Sequence, residues 1–285
     1  MNGKFLSKLL DRFEKYLKYE VENSNSTSKK YVSEANKFLR WLTDEKGMEI
    51  SKITKELIVD YKEYLKKIYT NPDTINGKIR MNHIFLKFLG KGNITIKRLK
   101  IVKRNCKPSG RYVKEVDYKR LIKCGKKKYA KAVIVAKIIA NTGIRASEIG
   151  QITYEMVVDG KIIVNNKGKI REIVLNKHIR RDLLKYCKKI GIKTGPVILN
   201  NKGNAYTRFG IWRMLKNLAK EMEVDTNTVF PHSFRHLFAV KHYSIHKDIE
   251  ALANILGHSS AETTLIYLRK TVEEYGITMD IWHKK

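Results

Sequence analysis

The chain has 285 residues, of which 42% are hydrophobic, so it is long enough for about two domains and apolar enough to bury a core in each. Its 59 lysines and arginines outnumber its 28 acidic residues and leave a formal net charge of +31 at pH 7. Such an excess of positive charge indicates a polyanionic partner, which is either nucleic acid or an anionic membrane surface.

Several classes of protein are excluded because their signatures are missing. Charges interrupt the first residues before a signal-type apolar core can form, and the longest apolar stretch, residues 132–140, is too short to cross a bilayer. The three cysteines (Cys106, Cys124 and Cys187) are odd in number and widely spaced, which supports neither a disulfide scaffold nor a cysteine zinc site. Neither GxxxxGK[ST] nor GxGxxG occurs, so we expect no nucleotide cofactor and a reducing cytosol.

The first hundred residues have the apolar spacing of helices. Four helices are expected: one around Phe5–Leu17, one capped by Thr27 or Ser28 and reaching Leu42, one capped by Thr54 and reaching Ile68, and one from Asp73 or Thr74 to Gly90. Asn71-Pro72 is interpreted as a break between the last two helices. Residues 1–96 are therefore predicted to form a small all-α domain.

Residues 97–114 mix basic residues with Pro, Ser and Gly, which is typical of a charged linker. We expect this segment to lie as a basic strap along a phosphate backbone, although a solvated surface loop would have the same composition. The candidate DNA-binding residues are Lys97, Arg98, Lys100, Lys103, Arg104, Lys107 and Arg111.

Residues 115–285 are predicted to form a second, mixed α/β domain. The domain begins with the segment 116–124 and an apolar helix at 130–140, and two short β-like runs follow at 161–164 and 172–175. Residues 165–169 form the hairpin turn between these runs. The rest of the domain is predicted to be helical. The whole chain is thus expected to be mainly α with one small β-hairpin.

Four segments of the second domain carry residues suited to phosphate chemistry. In 142–148 (TGIRASE), Arg145 stands at the mouth of a predicted helix, where backbone N–H groups also attract an anion. Lys167 and Lys169 lie in the hairpin turn, where an ammonium group could deliver a proton. In 231–236 (PHSFRH), His232 and Arg235 share a helical face, which pairs a proton carrier with a phosphate binder.

The fourth segment, residues 256–267, runs from Leu256-Gly257-His258 to Tyr267, with Gly257 as an expected helix C-cap and Ser259 or Ser260 as the next N-cap. A metal site was also considered, because histidines stand four apart at 232 and 236 and at 242 and 246. No glutamate base or further ligand accompanies either pair, so we expect no metal. Each segment alone has an ordinary structural explanation, such as a helix start, a lysine-rich turn or a half-buried tyrosine.

Taken in this order, the segments resemble the tyrosine recombinase (phage integrase) family, including its Xer-like members. Lys167 follows Arg145 by 22 residues, and Tyr267 follows His258 by 9 residues, as that pattern requires. The resemblance covers the whole chain and implies a helical core-binding domain (1–96), a linker (97–114) and a catalytic domain with a C-terminal tail (115–285).

The resemblance implies a catalytic set of Tyr267, Arg145, Lys167, His232, Arg235 and His258. The tyrosine would attack a scissile phosphate and form a 3′-phosphotyrosyl link, while the two arginines and His258 stabilise the transition state. Lys167 would protonate the leaving 5′-oxygen, with Lys169 as a rival, and His232 would handle the tyrosine proton. His236 is interpreted as structural. Neither metal nor ATP is expected.

The resemblance also implies a tetramer, built from this chain alone or together with a paralogue, on duplex DNA with inverted-repeat-like sites. Strands would be exchanged through a Holliday junction in a prokaryotic, nucleoid-associated setting. Residues 272–285 are expected to dock on a neighbouring protomer or on their own domain. The alternatives are a type IB topoisomerase-like enzyme and a non-catalytic DNA-binding regulator with the same fold. A membrane-surface protein is disfavoured because no basic amphipathic helix of the required kind is found.

Overall fold

The computed structural model describes residues 3–101, 111–166, 168–258 and 260–268. The chain divides into two compact units, Met1–Lys103 and Arg104–Lys285. Within the described ranges, no helix is both long enough and apolar enough to cross a membrane. The expected fold class, mainly helical with one small hairpin, is confirmed.

The helices described in the first unit are α1 (Gly3–Tyr19), α2 (Asn25–Arg40), α3 (Lys55–Ile68) and α4 (Pro72–Phe88), and a π-helical segment (Trp41–Glu45) extends α2. The hydroxyl of Thr54 accepts a hydrogen bond from the backbone N–H of Leu57, so the predicted N-cap of α3 is confirmed. Helix α2 begins earlier than predicted, after Ser24. Helix α4 begins at Pro72 rather than after it, because Asn71 caps the helix and proline suits the first helical position.

The core of the first unit is aromatic. The rings of Phe13, on α1, and Phe85, on α4, are fully buried and meet edge to face with their centroids 4.9 Å apart. Beside this core, Glu34 of α2 accepts a hydrogen bond of 2.7 Å from Lys78 of α4, and both side chains are nearly buried. Because an unpaired charge is strongly unfavourable in a nearly buried position, this ion pair fixes α2 against α4.

The second unit contains eight described helices and one hairpin. The helices are α5 (Glu115–Ile122), α6 (Ala130–Thr142), α7 (Tyr154–Asp159), α8 (Lys177–Ile190), α9 (Arg208–Glu221), α10 (Pro231–His246), α11 (Ile249–Leu256) and α12 (Ala261–Leu268). Strands β1 (Lys161–Asn166) and β2 (Lys169–Val174) pair antiparallel, with Lys161 opposite Val174 and Asn166 opposite Lys169. The strands are longer and the turn shorter than predicted, since cross-strand pairing continues through polar residues that the sequence pattern assigns to a loop.

A second correction concerns residues 192–207, which were expected to be helical. This segment is irregular and makes two isolated β-bridges, Thr153 with Pro196 and Leu199 with Ala205. Val197 and Ile198 are fully buried, so their apolar character reflects burial in the core of the unit and not the face of a helix.

Helix α6 is apolar on most of its surface and packs against α8, α9 and α10. It ends at Gly143, and α11 ends at Gly257, both with left-handed backbone conformations (φ +65° and +62°), so the predicted C-cap at Gly257 is confirmed. A β-carbon on Gly143 would lie 2.6 Å from the ring of Phe238, and one on Gly257 would lie 2.8 Å from Nη1 of Arg171. Glycine is required at both helix ends for backbone conformation and for space.

The aromatic core of the first unit generates a stability prediction. Replacing Phe85 by alanine should destabilise the protein by about 3–5 kcal/mol, because the substitution leaves a cavity against Phe13. Urea unfolding followed by circular dichroism would measure the change. The matched control is Phe5→Ala, at a ring that is 53% exposed, which should change stability by no more than about 0.5 kcal/mol. Equal effects of the two substitutions would contradict the assigned core.

Candidate functional site

Two arginines of the second unit lie against the C-terminal ends of α6 and α11. Arg235, on α10, donates hydrogen bonds to the carbonyl oxygens of Gly143 and Leu256, the latter at 2.6 Å. Arg145 donates from Nη2 to the carbonyl oxygen of Gly257 at 2.8 Å. A helix leaves its last carbonyl oxygens unpaired and carries partial negative charge at that end. The two helix ends therefore hold two guanidinium groups close together.

The positive charge of Arg235 has only neutral acceptors around it. The residue is 3% exposed, and no carboxylate of the described residues forms an ion pair with it. A buried guanidinium compensated only by neutral groups retains its attraction for an anion. A phosphate diester fits this requirement, because its oxygens match the planar fork of guanidinium donors.

One buried carboxylate, that of Glu148, connects Arg145 to the hairpin. It accepts hydrogen bonds from the backbone N–H of Arg145 (2.9 Å), from Nη1 of Arg145 (3.2 Å) and from Nδ2 of Asn166 (3.1 Å). Both terminal nitrogens of Arg171, on β2, also donate to it, at 3.0 and 2.7 Å. Burial alone would raise the pKa of Glu148, but these hydrogen bonds and the charge of Arg171 hold that pKa below its ordinary value. The carboxylate therefore stays ionised.

His258 is held between an arginine and a hydroxyl. Its Nε2 lies 2.9 Å from Nη2 of Arg235, and its Nδ1 lies 2.7 Å from Oγ1 of Thr264. Since arginine can only donate, we assign the lone pair to Nε2 and the proton of the neutral ring to Nδ1. Burial, together with the positive charges of Arg235 and Arg145, lowers the pKa of His258 to about 4. The ring is thus uncharged at neutral pH.

Tyr267, on α12, is 5% exposed and its hydroxyl lies 3.3 Å from Nε2 of His232. The rings of Tyr267 and His258 are nearly parallel, with centroids 5.6 Å apart. Burial and then the positive charge of Arg235 lower the pKa of His232, so this ring is also neutral at neutral pH. A neutral imidazole within reach of a phenol can accept its proton as the phenol oxygen attacks an electrophile.

The structure brings together five of the six residues that the sequence proposed as catalytic, namely Arg145, His232, Arg235, His258 and Tyr267. Lys167 lies outside the described residues, whereas its rival Lys169 is exposed at the first position of β2. His236, interpreted as structural, stacks on Tyr112 with the ring centroids 3.9 Å apart, and its ring also lies beside that of Tyr267.

The predicted DNA-binding strap is described only in part. Lys97, Arg98, Lys100 and Arg111 are exposed, whereas Lys103, Arg104 and Lys107, like the tail 272–285, lie outside the described residues. The backbone of Leu99 exchanges two hydrogen bonds of 2.9 Å with the side chain of Asn76, so this part of the segment lies against the first unit. Tyr112, the residue after Arg111, stacks on His236, so Arg111 begins the part of the segment that lies against the second unit.

Sequence reasoning missed Arg171 and Asn166, the two hairpin residues that bind Glu148. A signal for Arg171 was present: it shares the inward face of β2 with the buried Ile173, two residues on, and an arginine on a buried face requires an acidic or carbonyl partner.

Comparison with known proteins identifies the family of the chain. Residues 111–274 match the model of the phage integrase family, and residues 10–91 match that of the phage integrase N-terminal SAM-like domain. The chain is 28% identical over 282 residues to the TnP I resolvase of Bacillus thuringiensis, a match that covers 90% of this chain and 93% of the resolvase. It is 26% identical over 278 residues to the tyrosine recombinase XerD of Oceanobacillus iheyensis, covering 92% and 93%.

Among solved structures, the Tn1549 transposon integrase in complex with transposon right end DNA matches with a TM-score of 0.70 at 18% identity, covering 95% of this chain and 98% of that one. This likeness concerns the fold. Since the first family model matches more than half of the residues, the chain belongs to the phage integrase family, the tyrosine recombinases.

The lowered pKa of His258 predicts how stability depends on pH. Because the folded pKa (about 4) lies below the ordinary value of 6.5, the unfolded state binds more protons between these values. The free energy of unfolding should therefore fall as the pH is lowered from about 6.5 to about 4, and this fall should be shallower in His258→Asn. Urea titrations at several pH values would measure both slopes. His178→Asn, at an exposed position on α8, is the control, and an unchanged slope in His258→Asn would contradict the assignment.

Proposed function

We propose that this protein is a site-specific recombinase that cleaves and rejoins duplex DNA through a 3′-phosphotyrosyl intermediate. The observation that carries the proposal is the position of the Tyr267 hydroxyl, 3.3 Å from a neutral His232 and beside the guanidinium of Arg235. A nucleophile, a proton acceptor and a phosphate-binding cation are thus within reach of one phosphorus atom.

In the proposed cleavage step, the Tyr267 oxygen attacks the scissile phosphorus while its proton moves to Nε2 of His232. The bond from phosphorus to the 5′-oxygen breaks, and Lys167 supplies the proton that this oxygen needs to leave as a hydroxyl. Arg145 and Arg235 bind the non-bridging oxygens, whose negative charge grows in the transition state. His258 adds a hydrogen bond to the same oxygens in its other neutral tautomer, in which the ring proton has moved from Nδ1 to Nε2 and the hydroxyl of Thr264 donates to Nδ1.

Rejoining reverses these transfers. A 5′-hydroxyl, from the same or another strand, attacks the phosphotyrosyl phosphorus, gives its proton to the lysine and releases the Tyr267 oxygen, which recovers its proton from His232. One phosphodiester is exchanged for another of similar energy, so no ATP is required. The positive charge that a divalent metal supplies in other phosphoryl-transfer enzymes comes here from the two arginines and the lysine.

The proposed division of labour assigns DNA-core binding to residues 1–96, a basic strap to 97–114 and catalysis to 115–285. Support comes from the matched SAM-like and integrase models and from the charge of +31, which suits the backbone of duplex DNA. Solved relatives include the XerH site-specific recombinase bound to its difH substrate. By analogy we propose inverted-repeat-like sites, a tetramer on paired sites and strand exchange through a Holliday junction.

The biological outcome proposed is integration, excision or resolution, carried out in the cytoplasm on nucleoid DNA. A type IB topoisomerase is not favoured, because both matched models are those of integrases and the full-length relatives named above are a resolvase and a Xer recombinase. A non-catalytic regulator is disfavoured by the arrangement of Tyr267, His232 and the two arginines. A protein that only binds DNA does not need a tyrosine hydroxyl beside a proton acceptor.

The nucleophile is tested by covalent trapping. Duplexes that bind the protein are first selected from a random-sequence pool, and a nick is then placed near the cleavage position so that the cut strand cannot be rejoined. Wild-type protein should form a protein–DNA adduct that survives denaturing electrophoresis, and Tyr267→Phe should form none while its DNA affinity is unchanged. Tyr243→Phe, at a second tyrosine of the same small cluster, is the control and should keep the adduct. An adduct that persists in Tyr267→Phe would exclude this nucleophile.

The source of positive charge is tested with a chelator. Because Arg145, Arg235 and a lysine supply the charge, adduct formation should proceed at an unchanged rate in excess EDTA without added metal. The measurement is the same trapping assay in the presence and absence of Mg²⁺. A strict requirement for Mg²⁺ in the cleavage step would contradict the proposed mechanism.

A further inference from the structure

We infer that Arg171 is a positioning residue of this site, which acts by holding both groups that bind the guanidinium of Arg145. This inference rests on the proposed function, because it assigns a purpose to Arg171 only if Arg145 binds a scissile phosphate. Arg171 lies in the middle of strand β2 and is not one of the six residues proposed as catalytic.

Arg171 contacts both partners of Arg145. The guanidinium of Arg145 is held by Oε1 of Glu148 (3.2 Å) and by the carbonyl oxygen of Gly257 (2.8 Å). Arg171 donates to both carboxylate oxygens of Glu148, at 3.0 and 2.7 Å. It also packs directly on Gly257, since a β-carbon there would lie 2.8 Å from Nη1 of Arg171. Arg171 therefore binds the acidic partner of Arg145 and packs beside the residue that supplies its backbone partner.

The hairpin fixes this side chain in place. Arg171 pairs across the ladder with Val164, which is fully buried, and its own side chain is only 13% exposed. The two parallel N–H bonds to Glu148 define the orientation of the carboxylate as well as its distance, which a single ammonium group could not do. Strand β2 is thereby connected rigidly to the phosphate-binding arginine.

The electrostatics are consistent with this role. Burial is the main cause of the lowered pKa of both His258 and Arg235, and the positive charge of the nearby Arg171 lowers both further. Its two terminal nitrogens are already committed to Glu148. Arg171 should therefore influence the reaction through Arg145 and not by contact with DNA.

Loss of Arg171 should slow the chemical step and leave DNA binding intact. Without it, Glu148 loses two of its five hydrogen bonds and keeps those from the backbone and side chain of Arg145 and from Asn166. The carboxylate can then tilt and carry the Arg145 guanidinium away from the phosphate. A displacement of about 1 Å at such a group costs roughly 100-fold in rate. We therefore expect Arg171→Ala to reduce the rate constant of adduct formation about 100-fold and Arg171→Lys to retain part of the rate.

The experiment measures single-turnover adduct formation by the full-length protein on the selected, nicked duplex, together with DNA affinity at several salt concentrations. The matched control is Glu172→Gln, on the same strand, where an exposed ion pair with Lys161 (3.1 Å) is removed without touching the site. Glu172→Gln should react at the wild-type rate. All variants should bind DNA with wild-type affinity and wild-type salt dependence.

A double-mutant cycle tests whether the effect passes through Arg145. In an Arg145→Lys background, Arg171→Ala should cost little further rate, because the group that it positions has already been changed. A full, multiplicative loss in that background would overturn the inference. So would a wild-type rate in Arg171→Ala, or a loss of affinity with a salt slope reduced by about 1, which is the sign of a direct phosphate contact.

Further outcomes distinguish an unfolded variant, a failure of the proposed function and a failure of the role assigned to Arg171. If circular dichroism finds Arg171→Ala unfolded, Arg171→Lys decides the question by the same rate measurement, since it keeps the positive charge beside Glu148; a wild-type rate there would refute the need for the bidentate contact. If wild-type protein forms no Tyr267-dependent adduct, the proposed function itself fails. A wild-type adduct combined with an unaffected Arg171→Ala rejects only the role of Arg171.

Discussion

The site depends first on the carbonyl oxygens that α6 and α11 leave unpaired at their C-terminal ends. Arg235 binds the carbonyls of Gly143 and Leu256, and Arg145 binds that of Gly257, so main-chain groups from two helices fix the separation of two cations. Bringing two guanidinium groups together costs electrostatic energy, which the negative ends of the helix dipoles partly offset. The glycines at these ends allow the chain to turn away without covering the carbonyls.

Glu148 supplies the remaining counter-charge. Within the described ranges, it is the carboxylate that forms ion pairs with the arginines of the site: it pairs with Arg145 and Arg171 but not with Arg235. The described part of the site thus retains excess positive charge, while both histidines are neutral at neutral pH because their pKa values are lowered. A phosphate diester brings one negative charge and would balance much of this excess. Binding of a phosphate would therefore reduce the mutual repulsion of the guanidinium groups.

Much of this arrangement could be predicted from the sequence, for physical reasons. The helix caps at Thr54 and Gly257 could be predicted because they depend on local backbone chemistry. The candidate catalytic residues could be predicted because the order and spacing of their motifs resemble those of the family. Partners far apart in the chain could not be predicted. The hydrogen bond from Arg235 to the carbonyl oxygen of Gly143 joins two residues that are 92 positions apart in the sequence. Because every residue has a main-chain carbonyl, the sequence does not single out this one as the partner. Arg171 was missed because charged residues in a lysine-rich chain are normally exposed, and because the predicted strand began at residue 172, which left Arg171 out of the alternation that places it on the face of Ile173.

The errors at element boundaries have a similar origin. Helix α2 begins after Ser24 because Ser24, Thr27 and Ser28 are all acceptable caps, and packing of the helix against its neighbours decides among them. The hairpin turn is short because strand pairing extends over Asn165 and Asn166, whose side chains bind the backbone of Gly168 and the carboxylate of Glu148. In both places tertiary contacts decide an outcome that local preference leaves open.

The use of main-chain carbonyls as arginine ligands has a consequence for how far such sequences can diverge. Any sequence that forms α6 and α11 supplies these oxygens, so the helices can exchange nearly all of their side chains without loss of the two cation positions. To keep the two cation positions, only a few residue identities are indispensable: a glycine at each helix end, the two arginines and the acid that orients one of them. A fold retained at 18% identity, with a TM-score of 0.70, is what such a sparse requirement would permit.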